Sequence, residues 1–170
     1  MLETFGATFF GVITSFLLWY FGQWLIMRQR NQTAVKHMLR ETNEEIDTNI
    51  NILHLLVQDT PKMLAEGNIP VYMSSRMQLS VYTYLIASGE LRLLNAHKRN
   101  TIASAGMIAD SFNKFIENSE LVLVAALGLP QPQSLVVAKH RLNGLTEQAK
   151  DTAKALNKIL EDLGGVATKT

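Results

Sequence analysis

The feature that most constrains this sequence is a long uncharged stretch near its N-terminus. Residues 4–27 contain no formally charged side chain, and eleven of these 24 residues are Phe, Val, Ile or Leu. As an α-helix they would extend about 36 Å, which exceeds the roughly 30 Å hydrocarbon core of a bilayer. The stretch predicts one transmembrane helix, so we divide the chain into an anchor, residues 1–27, and a second domain, residues 28–170.

The two kinds of side chain that favour a membrane interface lie toward the end of the anchor. Trp19, Tyr20 and Trp24 occupy its second half, and Arg28 and Arg30 follow it directly. Amphipathic rings and basic side chains are enriched where a bilayer meets water. These five residues are the predicted interface residues.

The charges that flank the anchor predict its orientation. Arg28, Arg30, Lys36 and Arg40 follow it, whereas no Lys or Arg precedes it. The positive-inside rule therefore places the N-terminus outside and the C-terminal domain in the cytoplasm. The same cations could instead bind anionic lipid headgroups. Because the start of the chain lacks the basic residues of a signal peptide, we expect the anchor to stay uncleaved.

Small side chains recur along one side of the anchor. Ala7, Gly11 and Ser15 follow each other at intervals of four, and Gly22 continues the same stripe. Small residues let two helix backbones approach closely in lipid, where packing rather than the hydrophobic effect drives association. The stripe predicts helix association in the membrane.

Helical periodicity continues through the rest of the chain. It predicts that the first helix extends to about Pro61, that residues 62–70 form a connector, and that a second helix covers residues 71–87 and ends at Gly89. A third helix should begin at Glu90 or Leu91 and end before Gly128. No period-two alternation bounded by hairpin turns indicates a strand.

The last helix has the clearest apolar period. Its predicted seam of coiled-coil type comprises Leu135, Ala138, Leu142, Leu145, Ala149, Thr152, Leu156, Ile159 and Leu163, and Gly164 should end the helix. The predicted fold class is all-α: one N-terminal transmembrane helix that continues into a cytoplasmic up-and-down helical bundle.

Composition and motifs argue against several functions. The net charge of +1 lacks the bulk basicity of nucleic-acid binders, and the absence of cysteine removes thiolate metal sites and cysteine nucleophiles. No phosphate-binding, metalloprotease or hydrolase motif occurs, and none of the four histidines has Glu three residues before it, as di-metal bundles require. We expect no enzyme activity, no cofactor and no metal.

One short segment carries a resemblance. Ser88-Gly89-Glu90-Leu91, after Ile69-Pro70 and a short helix, resembles a segment of small uncharacterised bacterial proteins with one N-terminal membrane helix and a helical cytoplasmic part. The resemblance covers about residues 69–94 and implies no activity.

These features predict a single-pass membrane protein that acts as a structural or accessory subunit. Its expected partners are the lipid bilayer and either further copies of itself or a larger membrane-protein complex. The alternative is a membrane-anchored effector or sensor whose bundle binds a ligand and signals through the membrane helix.

Overall fold

The computed structural model describes residues 2–66 and 76–165, with side chains from Gly11 onward. Within these residues the chain is helical and contains no strand, which confirms the all-α class. The elements are α1 (Leu2–Ala65), α2 (Ser80–Ser88), a 3-10 helix (Glu90–Leu93), α3 (Ala96–Leu127) and α4 (Gln133–Leu163).

The chain divides into two compact units, residues 1–38 and residues 39–170. The first unit comprises the N-terminal part of α1. The second is a helical bundle. Its core contains fully buried side chains from α1, α2, α3 and α4, among them Ile50, Leu53, Leu85, Ile102, Phe112, Ile116, Leu123, Leu142, Leu145 and Leu156. The bundle thus has a conventional apolar core built from the helical periodicities of the sequence.

The C-terminal end of α1 corrects one prediction. The helix continues through Pro61 to Ala65 instead of ending near the proline. A proline costs a helix one hydrogen bond and imposes a steric clash, but the next turn can still form. Here Glu66 donates its backbone N–H to the carbonyl of Lys62 at 3.1 Å. Of the predicted connector, residues 67–70 lie outside the described residues.

The second helix is shorter than the periodicity predicts. It begins at Ser80, and residues 76–79 precede it without helical structure; residues 71–75 of the predicted helix lie outside the described residues. Its C-terminal end is as predicted, because Gly89 closes the helix with a positive φ of 70°.

The third helix begins later than predicted. Glu90 and Leu91 belong to the 3-10 helix, and α3 starts only after Asn95. The side chain of Asn95 accepts a 2.9 Å hydrogen bond from the backbone N–H of Lys98, which caps the first turn. The start of α3 therefore follows the capping residue Asn95 and not the first apolar residues of the periodic pattern.

Helices α3 and α4 pack against each other after a short connection over residues 128–132. In α4, Ala138, Leu142, Leu145, Ala149, Thr152, Leu156, Ile159 and Leu163 are buried. Leu135, predicted as the first seam residue, is instead exposed, and Ser134 is buried in its place. Both residues lie in the first turn of α4, next to the connection. Gly164 ends α4 as predicted, with φ 87°.

Candidate functional site

The most unusual surface of the described chain is the apolar segment, residues 12–27. Its large apolar side chains are exposed: Val12, Ile13, Phe16, Leu17, Leu18, Trp19, Tyr20, Phe21, Trp24, Leu25, Ile26 and Met27. The six consecutive residues Phe16 to Phe21 are each 57–68% exposed. Six residues cover more than one complete helical turn, so the apolar surface surrounds the helix instead of following one side of it.

Aromatic contacts occur along the same segment. The rings of Phe16 and Trp19 lie 6.0 Å apart, and those of Phe21 and Trp24 lie 5.7 Å apart. The guanidinium of Arg28 lies 5.3 Å from the centre of the Trp24 ring, within cation–π range. The segment therefore ends with an aromatic ring and a positive charge in contact, and Arg30 is exposed two residues later.

Within the described residues, no helix combines the length and the apolar composition needed to cross a bilayer.

The predicted small-residue stripe is described only in part. Ala7 lies outside the described side chains, as do all residues before Gly11. A Cβ atom added at Gly11 or Gly22 would meet nothing within 4 Å, so both positions are open. Ser15 donates its hydroxyl to the carbonyl of Gly11 at 2.8 Å. Association of helices along this stripe stays a prediction.

A different arrangement in the bundle holds residues 76–79, which we call the clamped segment. The side-chain amide of Asn113 accepts from the N–H of Met77 at 2.8 Å and donates to its carbonyl at 3.0 Å. Asn49 does the same to Gln78, at 2.6 Å and 3.0 Å. One amide from α3 and one from α1 thus satisfy the backbone groups of two consecutive non-helical residues.

The clamped segment is also fixed at both ends. At one end, Arg76 forms ion pairs with Glu117 at 2.6 Å and Glu120 at 3.0 Å. At the other, the carboxylate of Glu45 accepts from the backbone N–H of Val81 at 2.7 Å and from the Ser80 hydroxyl at 2.7 Å.

Glu45 therefore acts as the N-terminal cap of α2, although it belongs to α1. The α2 N-cap residue, Leu79, supplies no side-chain hydrogen bond. A carboxylate at a helix N-terminus satisfies free N–H groups and complements the helix dipole.

The sequence patterns do not identify Asn49, Asn113 and Glu45 as residues that hold this segment. A signal was present for the two amides. Asn49 is adjacent to buried Ile50, and Asn113 is adjacent to buried Phe112. A polar side chain beside an apolar face needs a hydrogen-bond partner when it is buried, but the sequence does not reveal which backbone supplies it.

A cavity of about 20 Å³ lies beside the clamped segment. Its lining includes Thr42, Asn49, Gln78, Tyr82 and Gly106. This volume holds about one water molecule and is far below the roughly 300–1,000 Å³ of small-molecule sites. The Tyr82 ring fills the space above Gly106, where an added Cβ would lie 2.5 Å from ring carbons.

Two exposed groups titrate away from their ordinary range. The hydrogen bond from the Tyr84 hydroxyl to Glu90, and then the negative charge of that carboxylate, raise the pKa of Tyr84. In the same way, Asp110 raises the pKa of Lys114 through a 2.7 Å hydrogen bond and its charge. Among the described residues, no three His, Asp or Glu side chains form a group able to hold a metal ion.

Comparison of the chain with protein-family models, curated proteins and solved structures found no match. The resemblance of residues 69–94 to small membrane-anchored bacterial proteins therefore stays a prediction.

Proposed function

We propose that this protein is a membrane-anchored accessory subunit, held in the bilayer by residues 4–27 and assembling through its helical bundle. The observation that carries the proposal is the apolar surface around the whole circumference of residues 16–21. A partner helix covers one stripe of a helix, whereas lipid covers every side. The Trp24–Arg28 contact at the end of the segment is typical of an interface between lipid and water.

The proposed orientation has the N-terminus outside and the bundle in the cytoplasm. Its support is the sequence asymmetry between the basic residues after the segment and the absence of Lys or Arg before it. Reporters that are active on only one side of the membrane, fused after Thr170, test this orientation. Activity of the exported-side reporter alone would contradict it.

The assembly part of the proposal is supported by exposed apolar side chains on the bundle. Leu121, Val124, Leu127 and Val136 lie at the end of α3 and the start of α4 and are 49–69% exposed. No charged residue occurs between Glu120 and Lys139. Exposed apolar patches of this kind mark interaction surfaces.

Native mass spectrometry from mild detergent tests the assembly. The wild type should form a complex that the double variant Leu121→Asp/Val124→Asp dissociates. A monomeric wild type would contradict assembly.

Membrane insertion can be tested with two matched double variants. Leu17→Lys/Leu18→Lys places two charges in the apolar segment, at about 2.5–3.5 kcal/mol each. Leu55→Lys/Met107→Lys places two charges at similarly exposed positions of the bundle. After alkaline carbonate treatment of membranes, the wild type and the bundle variant should stay in the pellet, and the first variant should not. Extraction of the wild type by carbonate would contradict the proposed anchor.

A further inference from the structure

The chain is strongly asymmetric in charge just after the apolar segment. Between Glu3 and Glu41 there is no Asp or Glu, whereas Arg28, Arg30, Lys36 and Arg40 fall within 13 residues. The net charge of the whole chain is only +1. The positive charge is therefore concentrated beside the apolar surface. Of the four cations, only Arg40 is followed closely by carboxylates, and it pairs with Glu44 at 3.6 Å.

Within the part of the chain that the structure describes, three of these cations have no intramolecular counterion. Arg28, Arg30 and Lys36 are exposed, and none forms an ion pair with a carboxylate within residues 11–66 and 76–165. In the bundle, by contrast, Lys114 pairs with Asp110 at 2.7 Å and Lys150 with Glu147 at 2.8 Å. Arg28, Arg30 and Lys36 form what we call the basic collar.

The exposed apolar residues directly before the basic collar indicate what kind of anion would bind there. Trp24, Leu25, Ile26 and Met27 are exposed directly before Arg28. A ligand that covers both surfaces needs an apolar body joined to an anionic group. A nucleic-acid backbone offers phosphates without a body that would bury aliphatic side chains. An anionic phospholipid offers both, with the charge at the depth of the headgroups.

We propose that the basic collar binds the headgroups of anionic phospholipids and enriches them around the apolar segment. This proposal rests on the membrane anchoring proposed above. Attraction of a basic side chain to an anionic membrane surface corresponds to roughly fivefold in partitioning per Lys or Arg near that surface. The attraction should weaken as salt is added, since the Debye length is about 10 Å at 0.1 M.

The two tryptophans of the chain, Trp19 and Trp24, provide the test, because both lie in the apolar segment. The full-length protein is reconstituted into vesicles of phosphatidylcholine and phosphatidylserine in which either one lipid or the other is brominated. Bromine quenches tryptophan only at contact, so the ratio of the two quenching efficiencies reports which lipid surrounds the segment. The wild type should be quenched more efficiently by brominated phosphatidylserine at equal mole fraction.

Two triple variants with the same loss of charge separate a local effect from a general one. Arg28→Gln/Arg30→Gln/Lys36→Gln should bring the quenching ratio to unity. Lys150→Gln/Lys154→Gln/Lys158→Gln, on α4, should retain the wild-type ratio. Equal loss in both variants would overturn the proposal, because net charge would then account for the preference.

The remaining outcomes distinguish this proposal from the proposed function. Equal quenching of the wild type by both brominated lipids would overturn the lipid preference and leave the anchor in place. Absence of quenching by either lipid would overturn the anchor and this proposal together. A preference abolished by inorganic phosphate, but not by chloride at equal ionic strength, would indicate a site for free phosphate and overturn the assignment to lipid.

Discussion

Two groups of large apolar side chains in this protein differ in whether the chain itself covers them. Phe112, in the bundle, is 2% exposed and is covered by the chain itself, whereas Phe16, in the apolar segment, is 62% exposed. Buried apolar area contributes about 25 cal/mol per Å² only when something removes it from water. The bundle therefore contains its own stabilising contacts, whereas the described residues leave the apolar side chains of the segment largely uncovered.

Loss of a ring from the bundle core should destabilise the protein most. Phe112→Ala should destabilise the bundle by about 3–5 kcal/mol, because it removes a fully buried ring and leaves a cavity. Phe16→Ala, the same substitution at an exposed ring, should change bundle stability by less than about 0.5 kcal/mol. Denaturant unfolding in mild detergent, followed by circular dichroism, measures both. A similar loss in Phe16→Ala would mean that the segment packs within the protein.

Two glycine substitutions in the bundle, one at a packed position and one at an open position, test its internal packing. In Gly106→Ala the new Cβ meets the Tyr82 ring at 2.5 Å, so the ring must move, at a cost of about 1–3 kcal/mol. In Gly144→Ala the new Cβ meets nothing within 4 Å, and helix propensity should stabilise α4 by about 0.5–1 kcal/mol. The two thermal midpoints should therefore shift in opposite directions; a stabilised Gly106→Ala would show that the Tyr82 ring moves without cost.

Removal of one of the two amides that bind the clamped segment should destabilise the bundle to a smaller extent. Asn49→Ala leaves the N–H and carbonyl of Gln78 without their partner, which should cost about 1–3 kcal/mol. Asn118→Ala, at an exposed position of α3, should be nearly neutral. Amide hydrogen exchange should show faster exchange at Gln78 in the first variant alone. Unchanged exchange there would mean that water replaces the amide without loss.

The hydrogen bond between Tyr84 and Glu90, on the surface of the bundle, should contribute least to stability. Since the pKa of Tyr84 is raised in the folded state, its hydrogen bond to Glu90 contributes stability below the ordinary tyrosine pKa, and this contribution is lost as pH rises through the folded-state value. Glu90→Gln should lower the pKa of Tyr84, which phenolate absorbance measures against Tyr84→Phe as a blank. A titration unchanged by Glu90→Gln would show that the carboxylate does not act on the hydroxyl.

The sequence predicted the parts of the fold that local rules determine. Gly89 and Gly164 end helices as expected, because only a residue that tolerates positive φ closes a helix in this way. The apolar period of α4 identified its buried face from Ala138 to Leu163. At Pro61 a local rule was applied too strictly, since one lost hydrogen bond did not stop the last turn of α1.

The start of α2 could not be predicted from its own residues. The period of residues 71–87 is compatible with a helix. However, Asn49 and Asn113 bind the backbone groups of Gln78 and Met77, and Glu45 caps the helix at the N–H of Val81. These partners lie 29–36 residues away along the chain. The exposed apolar segment, in contrast, could be identified in the sequence because it lacks charged residues. The association of helices along its small-residue stripe stays a prediction.

The clamp also has a consequence for the order in which the bundle folds. The amides of Asn49 and Asn113 bind the clamped segment only when α1 and α3 already lie beside it. They close loops of 29 and 36 residues, whose conformational entropy must be lost first. The clamp should therefore form after the folding transition state. On this basis Asn49→Ala should speed unfolding and hardly slow folding, with a φ-value near zero, whereas a seam substitution such as Leu145→Ala should slow folding. The hydrogen bonds that hold the segment would then govern how long the native state lasts, not how fast it forms.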